Sequence, residues 1–85
     1  MSRLDAVAAI CAAMLRTQNQ AITLMVSMDE APSWYWTIRP CLFRLKNADT
    51  FEMRDLETVI DNTAESREMA HYRSTLYHLH EMLVK

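Results

Sequence analysis

The sequence contains no glycine in 85 residues, although average usage of about 7% would supply about six. Glycine reaches positive φ at no steric cost, so tight two-residue hairpin turns are disfavoured here and a hairpin needs a longer type I loop. The absence also excludes the glycine-dependent loops that bind phosphate groups and dinucleotides. It favours helices.

Cysteine is scarce as well. Cys11 and Cys41 are the only two, and they stand far apart in apolar surroundings without CxxC spacing. This pattern predicts two reduced, buried thiols in a cytoplasmic protein rather than a disulfide or a reactive site.

The sequence also lacks a long hydrophobic run and a strong net charge. No stretch reaches the roughly 18 apolar residues that span a bilayer. The apolar run 6–15 has the size of a signal-peptide core, but Asp5 stands where the positive region of a signal should continue, and Ile10 precedes Cys11 where a lipoprotein signal has a small residue. The formal net charge of −2 opposes bulk attraction to nucleic acid or anionic lipid. With 51% hydrophobic residues, we expect one globular domain over residues 1–85 and no membrane association.

Helical and strand-like patterns alternate along the first half of the chain. Ser2 and Asp5 resemble a capping box that opens a helix over residues 3–17. Apolar residues then alternate over 21–28 and again over 34–38, which predicts an antiparallel hairpin with its turn at 29–33. Pro40 interrupts the alternation, so residues 41–46 are predicted as either a third strand or a helical turn.

The second half predicts two helices. Asp49 and Glu52 suggest a helix over 50–61, and the apolar spacing slips after Ile60, which indicates a break before a final helix over 65–85. The expected fold is α+β: a small two-layer domain with an N-terminal helix, a hairpin and two C-terminal helices. The alternative is an all-α bundle, because the apolar residues of 21–28 could also line a helix.

The final helix carries the clearest amphipathic pattern. Five large residues recur at spacings of three and four on one stripe. This stripe, called the seam below, is predicted to be either the core or a self-association surface: Met69, Tyr72, Leu76, Leu79 and Leu83.

No group of residues predicts catalysis. His71, His78 and His80 are separated by seven and two positions, whereas two imidazoles on one helix share a metal ion at spacings of three or four. No serine, histidine and acid have a spacing that specifies a triad. We therefore expect a protein that is not an enzyme and has no cofactor or metal.

Charge and aromatic residues single out residues 34–46. This stretch holds three cations and no acid, whereas residues 47–68 hold seven acids and two arginines. Aromatic residues among cations are typical of protein interfaces and of single-stranded nucleic-acid platforms; core packing is the simpler explanation. In the predicted hairpin Trp34 and Trp36 face the core, so Tyr35 faces solvent as a binding anchor. The candidate partner-binding residues are Trp34, Tyr35, Arg39, Arg44 and Lys46.

These patterns lead to two functional hypotheses. The first is a non-enzymatic regulator, of bacterial or phage type, that binds a protein target as an adaptor or inhibitor and also self-associates as a homodimer. Seven methionines would supply adaptable contact surface. The second is a nucleic-acid-binding regulator that uses the aromatic and basic hairpin.

Overall fold

The computed structural model describes residues 2–23, 33–63 and 67–85, and this part of the chain is helical without strands. The predicted α+β fold with a hairpin is therefore wrong, and the all-helical alternative is the fold observed. The elements in chain order are α1 (Arg3–Thr23), α2 (Ser33–Leu45), a 3-10 turn (Ala48–Thr50), α3 (Met53–Thr63) and α4 (Arg67–Leu83).

Helix α1 begins where the capping signal predicts and ends later than expected. The backbone N–H of Asp5 donates to the Ser2 hydroxyl over 3.1 Å, which satisfies one of the donors that a helix start leaves open. The helix continues to Thr23, so the first three residues of the predicted strand 21–28 are helical. The rest of that strand and its turn lie outside the described residues, apart from Ser33, which begins α2.

The predicted strand 34–38 lies within α2, which continues past Pro40 to Leu45. Four fully or almost fully buried side chains, spaced three, four and three residues apart, define its inner stripe: Tyr35, Ile38, Leu42 and Leu45. This helical spacing covers the whole element, whereas the alternation covers only five residues, so packing favours the helix. Pro40 lies on the exposed side, where its missing N–H costs one bond to the Trp36 carbonyl and its ring meets solvent.

The second half of the chain is close to prediction. Residues 48–50 form a 3-10 turn, so α3 begins at Met53 and not at Thr50. The carbonyl of Glu52 accepts the first helical bonds, from the N–H groups of Asp55 and Leu56. The separate helices α3 and α4 confirm the break that the slipped spacing predicted.

The four helices pack as an antiparallel bundle in which α2 contacts α1 and α3, and α4 contacts α3 and α1. Hydrogen bonds join the last part of each helix to the first part of the next, and the start of α1 to the end of α4, which gives this antiparallel order. The hydrogen bonds that join the helices in this way are Gln18–Tyr35, Arg44–Asp55, Arg73–Ile60 and Arg3–Met82.

The core draws on all four helices, and the seam of α4 is part of it. Met69, Leu76 and Leu79 are buried in the core cluster, and Tyr72 and Leu83 pack against it. The seam is thus a packing surface within one chain. None of the helices in the described ranges has both the length and the hydrophobicity needed to cross a bilayer.

Candidate protein-binding surface

The two aromatic residues that begin α2 have the reverse of their predicted environments. Tyr35 is 2% exposed and Trp36 is 44% exposed, so the prediction of an exposed Tyr35 beside a buried Trp36 is wrong. Successive side chains on a helix are turned by about 100°, and the inner stripe that begins at Tyr35 leaves Trp36 outside. The side chain of Trp34 lies outside the described part of the structure.

Tyr35 belongs to a polar network between α1 and α2. Its hydroxyl donates to the Gln18 carbonyl over 3.4 Å, and the fully buried Gln18 amide donates to the Tyr35 carbonyl at the same distance. Arg39 donates to the Gln18 side chain, to the Tyr35 hydroxyl and to Asn19 over 3.3, 3.3 and 2.9 Å. Burial raises the pKa of Tyr35 and nearby Arg39 opposes that shift, so the phenol is neutral and structural.

Arg44 is committed to a contact within the chain. Its guanidinium donates two bonds of 2.8 Å to the carboxylate of Asp55, which joins α2 to α3. These bonds hold the pKa of Asp55 below its usual range and raise the pKa of Arg44. A bidentate pair with a nearly buried carboxylate is a strong interaction, so the charge of Arg44 is neutralised by Asp55 within its own molecule.

The outer face of α2 presents apolar residues to solvent. Trp36, Pro40 and Phe43 are spaced four and three residues apart, and the two aromatic side chains are 44% and 45% exposed. The guanidinium of Arg39 lies 5.2 Å from the Phe43 ring centre, and the ammonium of Lys46 lies 5.0 Å from it. These five residues are called the outer α2 face below. The grouping of large exposed apolar side chains on one element makes this face a candidate interaction site.

Sequence reasoning placed Arg39 and Lys46 on this surface but missed Trp36, Pro40 and Phe43 as members of it. The signal was present, because the three lie opposite the helical stripe that begins at Tyr35. Within the described ranges neither Arg39 nor Lys46 forms a salt bridge with a carboxylate, so neither charge is neutralised by an acid there.

A pocket of about 280 Å³ lies between α3 and α4. It is called the α3–α4 pocket below, and its lining combines two carboxylates, an exposed aromatic ring, an imidazole and an apolar side chain: Glu57, Asp61, Tyr77, His80 and Ile60. Within it, Oε2 of Glu57 lies 3.1 Å from Nε2 of His80. A cationic group fits this combination of negative charge and aromatic surface.

The described residues contain no group of three or more histidine, cysteine or acidic side chains that could hold a metal ion. Burial, aided by Cys41, raises the pKa of Cys11 to about 12, and burial and Asp55 raise that of Cys41. Both thiols are therefore protonated near neutral pH and are poor nucleophiles.

No protein-family model, curated protein or solved structure matches this chain significantly. The outer α2 face and the α3–α4 pocket are therefore the features from which a function can be inferred.

Proposed function

We propose that this chain is a non-enzymatic, cytoplasmic regulator that binds a protein partner through the outer α2 face. The observation that carries the proposal is the pair of exposed aromatic side chains, Trp36 and Phe43, flanked by cations that form no ion pair within the described ranges.

The spacing of the apolar residues suits recognition by a helix. Trp36, Pro40 and Phe43 occupy positions i, i+4 and i+7, the pattern with which an amphipathic helix enters an apolar groove. They span about 10 Å at 1.5 Å per residue. Tryptophan and arginine are the residues most enriched among energetically dominant interface contacts. The expected partner surface is an apolar groove with acidic residues on its rim, which would meet Arg39 and Lys46.

Nucleic-acid binding is the second candidate, favoured by the aromatic residues that lie beside Arg39 and Lys46. Fewer cations are free to contact phosphate groups than the sequence indicated. Arg44 is neutralised by Asp55, and the chain as a whole carries a formal charge of −2. Two remaining cations give few phosphate contacts, so we expect any retardation of single-stranded probes to disappear with modest salt.

The test compares partner capture by the immobilised wild-type chain and by Trp36→Ala and Phe43→Ala. Both variants should lose the proteins that the wild type retains, while their circular dichroism stays unchanged and their melting temperatures change little. Met82→Ala is the matched control, because Met82 is 38% exposed on a different helix and lies outside the α3–α4 pocket. Equal capture by all four proteins would refute the assignment of this face.

A further inference from the structure

We propose that the partner of the outer α2 face is a second copy of this chain, which receives Lys46 in its α3–α4 pocket. This inference rests on the proposed function of the outer α2 face and adds the identity of the partner. The surfaces have opposite charge, and each has an exposed aromatic residue.

The two surfaces lie on opposite sides of one bundle. Arg39, which contacts the Phe43 ring, reaches Asn19 on α1, so this part of the outer face lies toward α1. The pocket lies at the contact of α3 with α4, and α2 and α4 each pack against α1 and α3. A molecule cannot bring its own two surfaces together, whereas two copies can.

The pocket provides what a lysine side chain needs. The carboxylates of Glu57 and Asp61 would take the ammonium group, while Tyr77 and Ile60 would contact its aliphatic stem. The carboxylate of Glu57 contacts the imidazole of His80. Asp61 forms no ion pair in the described part of the chain. A volume of about 280 Å³ leaves room for the group with ordered water.

Lys46 suits this role better than Arg39. Arg39 already donates three bonds to α1 and to Tyr35, whereas Lys46 is exposed and contacts the Phe43 ring. On association the Lys46 ammonium group would leave the Phe43 ring and contact the carboxylates of Glu57 and Asp61 in the neighbouring molecule. That molecule would then cover Phe43. This arrangement places apolar contact and ion pairing in the same interface.

A contact between two different surfaces is heterologous. A pair of copies joined in this way keeps one unused outer α2 face and one unused pocket, so association continues into open chains or closes as a ring, and does not stop at a two-fold dimer. The patch is small, so we expect weak association that falls with increasing salt, since exposed charges are screened.

Sedimentation velocity over a concentration series tests this geometry. The wild type should show a mass that rises with concentration past that of a dimer and falls in high salt. Lys46→Glu reverses the charge that the outer α2 face offers, and Asp61→Lys reverses the charge of one carboxylate in the α3–α4 pocket. Each variant alone should associate about tenfold more weakly or worse. Both positions are exposed, so the melting temperatures should match the wild type.

An equimolar mixture of the two variants is the decisive sample. Asp61→Lys keeps an intact outer α2 face and Lys46→Glu keeps an intact pocket, so the mixture should form a 1:1 complex that does not grow further. A wild type that stays monomeric at concentrations on the order of 1 mM would overturn the inference, as would a mixture without a complex. Loss of partner capture by Trp36→Ala in the same preparation would still support the proposed function.

Discussion

Helices α2 and α4 occupy diagonal corners of the same bundle, yet their sequences look different. The seam of α4 repeats at three and four residues with polar residues opposite, including the exposed His71, Ser74 and His78. Helix α2 has an equivalent inner stripe from Tyr35 to Leu45, but Trp36 and Phe43 stand on its outer side. A helix that keeps large apolar residues on both sides hides its period, and the side not needed for the core is the candidate for binding.

The comparison is sharpest at the two neighbouring aromatic residues of α2. Tyr35 is buried and hydrogen-bonded to α1, whereas Trp36 faces solvent one position later. They are similar in size and in sequence environment, so a substitution to alanine isolates the effect of burial.

The largest expected effect is that of Tyr35→Ala. Removing a buried aromatic side chain should lower the free energy of unfolding by about 3 to 5 kcal/mol. Gln18 and Arg39 would also each lose a hydrogen bond with the Tyr35 hydroxyl. Thermal and urea unfolding followed by circular dichroism measure it. Leu76→Ala in α4 is the control for a buried seam residue and should cost about 2 to 5 kcal/mol. An unchanged melting temperature for Tyr35→Ala would mean that α2 does not pack by this stripe.

The sequence allowed α4, the start of α1 and the break after α3 to be predicted. In α4 the repeat continues over fifteen positions, from Met69 to Leu83, and this length excludes a strand. At α1 the Ser2 cap identifies the first turn. Such signals are local or long enough to have one interpretation.

The strand prediction for residues 34–38 failed for physical reasons. Trp34, Trp36 and Ile38 alternate over five residues and have high β propensity, and a window this short also fits a helix. Tertiary packing of Tyr35 and Ile38 against the other helices decides between them. The same error moved Tyr35 to the surface and Trp36 to the core, so the candidate stretch was found while its exposed residues were not.

A smaller effect is expected where α2 is joined to α3. Asp55→Asn weakens the bidentate pair with Arg44, and because the arginine side chain is half exposed the loss at neutral pH should be about 1 to 2 kcal/mol. Urea unfolding at pH 7 measures it. Glu52→Gln, in an exposed pair with Arg54, is the control and should change little.

The same pair gives a pH dependence. Arg44 lowers the pKa of Asp55 below the ordinary 3.8 in the folded state. The stabilisation is therefore complete above that value and is lost as pH falls toward the folded-state pKa. The difference between wild type and Asp55→Asn should shrink as pH is lowered from 4 to 2. A difference that stays constant would show that the carboxylate charge contributes nothing.

The smallest expected effect on stability is that of Trp36→Ala. Removing its side chain leaves the core intact and loses one edge contact with the Tyr35 ring, whose centre lies 5.0 Å from that of Trp36. Because alanine is the better helix former, the free energy of unfolding should change by no more than about 1 kcal/mol. The measurement is urea unfolding beside Tyr35→Ala. A loss as large as that of Tyr35→Ala would make Trp36 a core residue and would remove the basis for a binding face on α2. A stable Trp36→Ala chain is the result that the proposed binding role of this side chain requires, because its loss of partner capture could then not be attributed to unfolding.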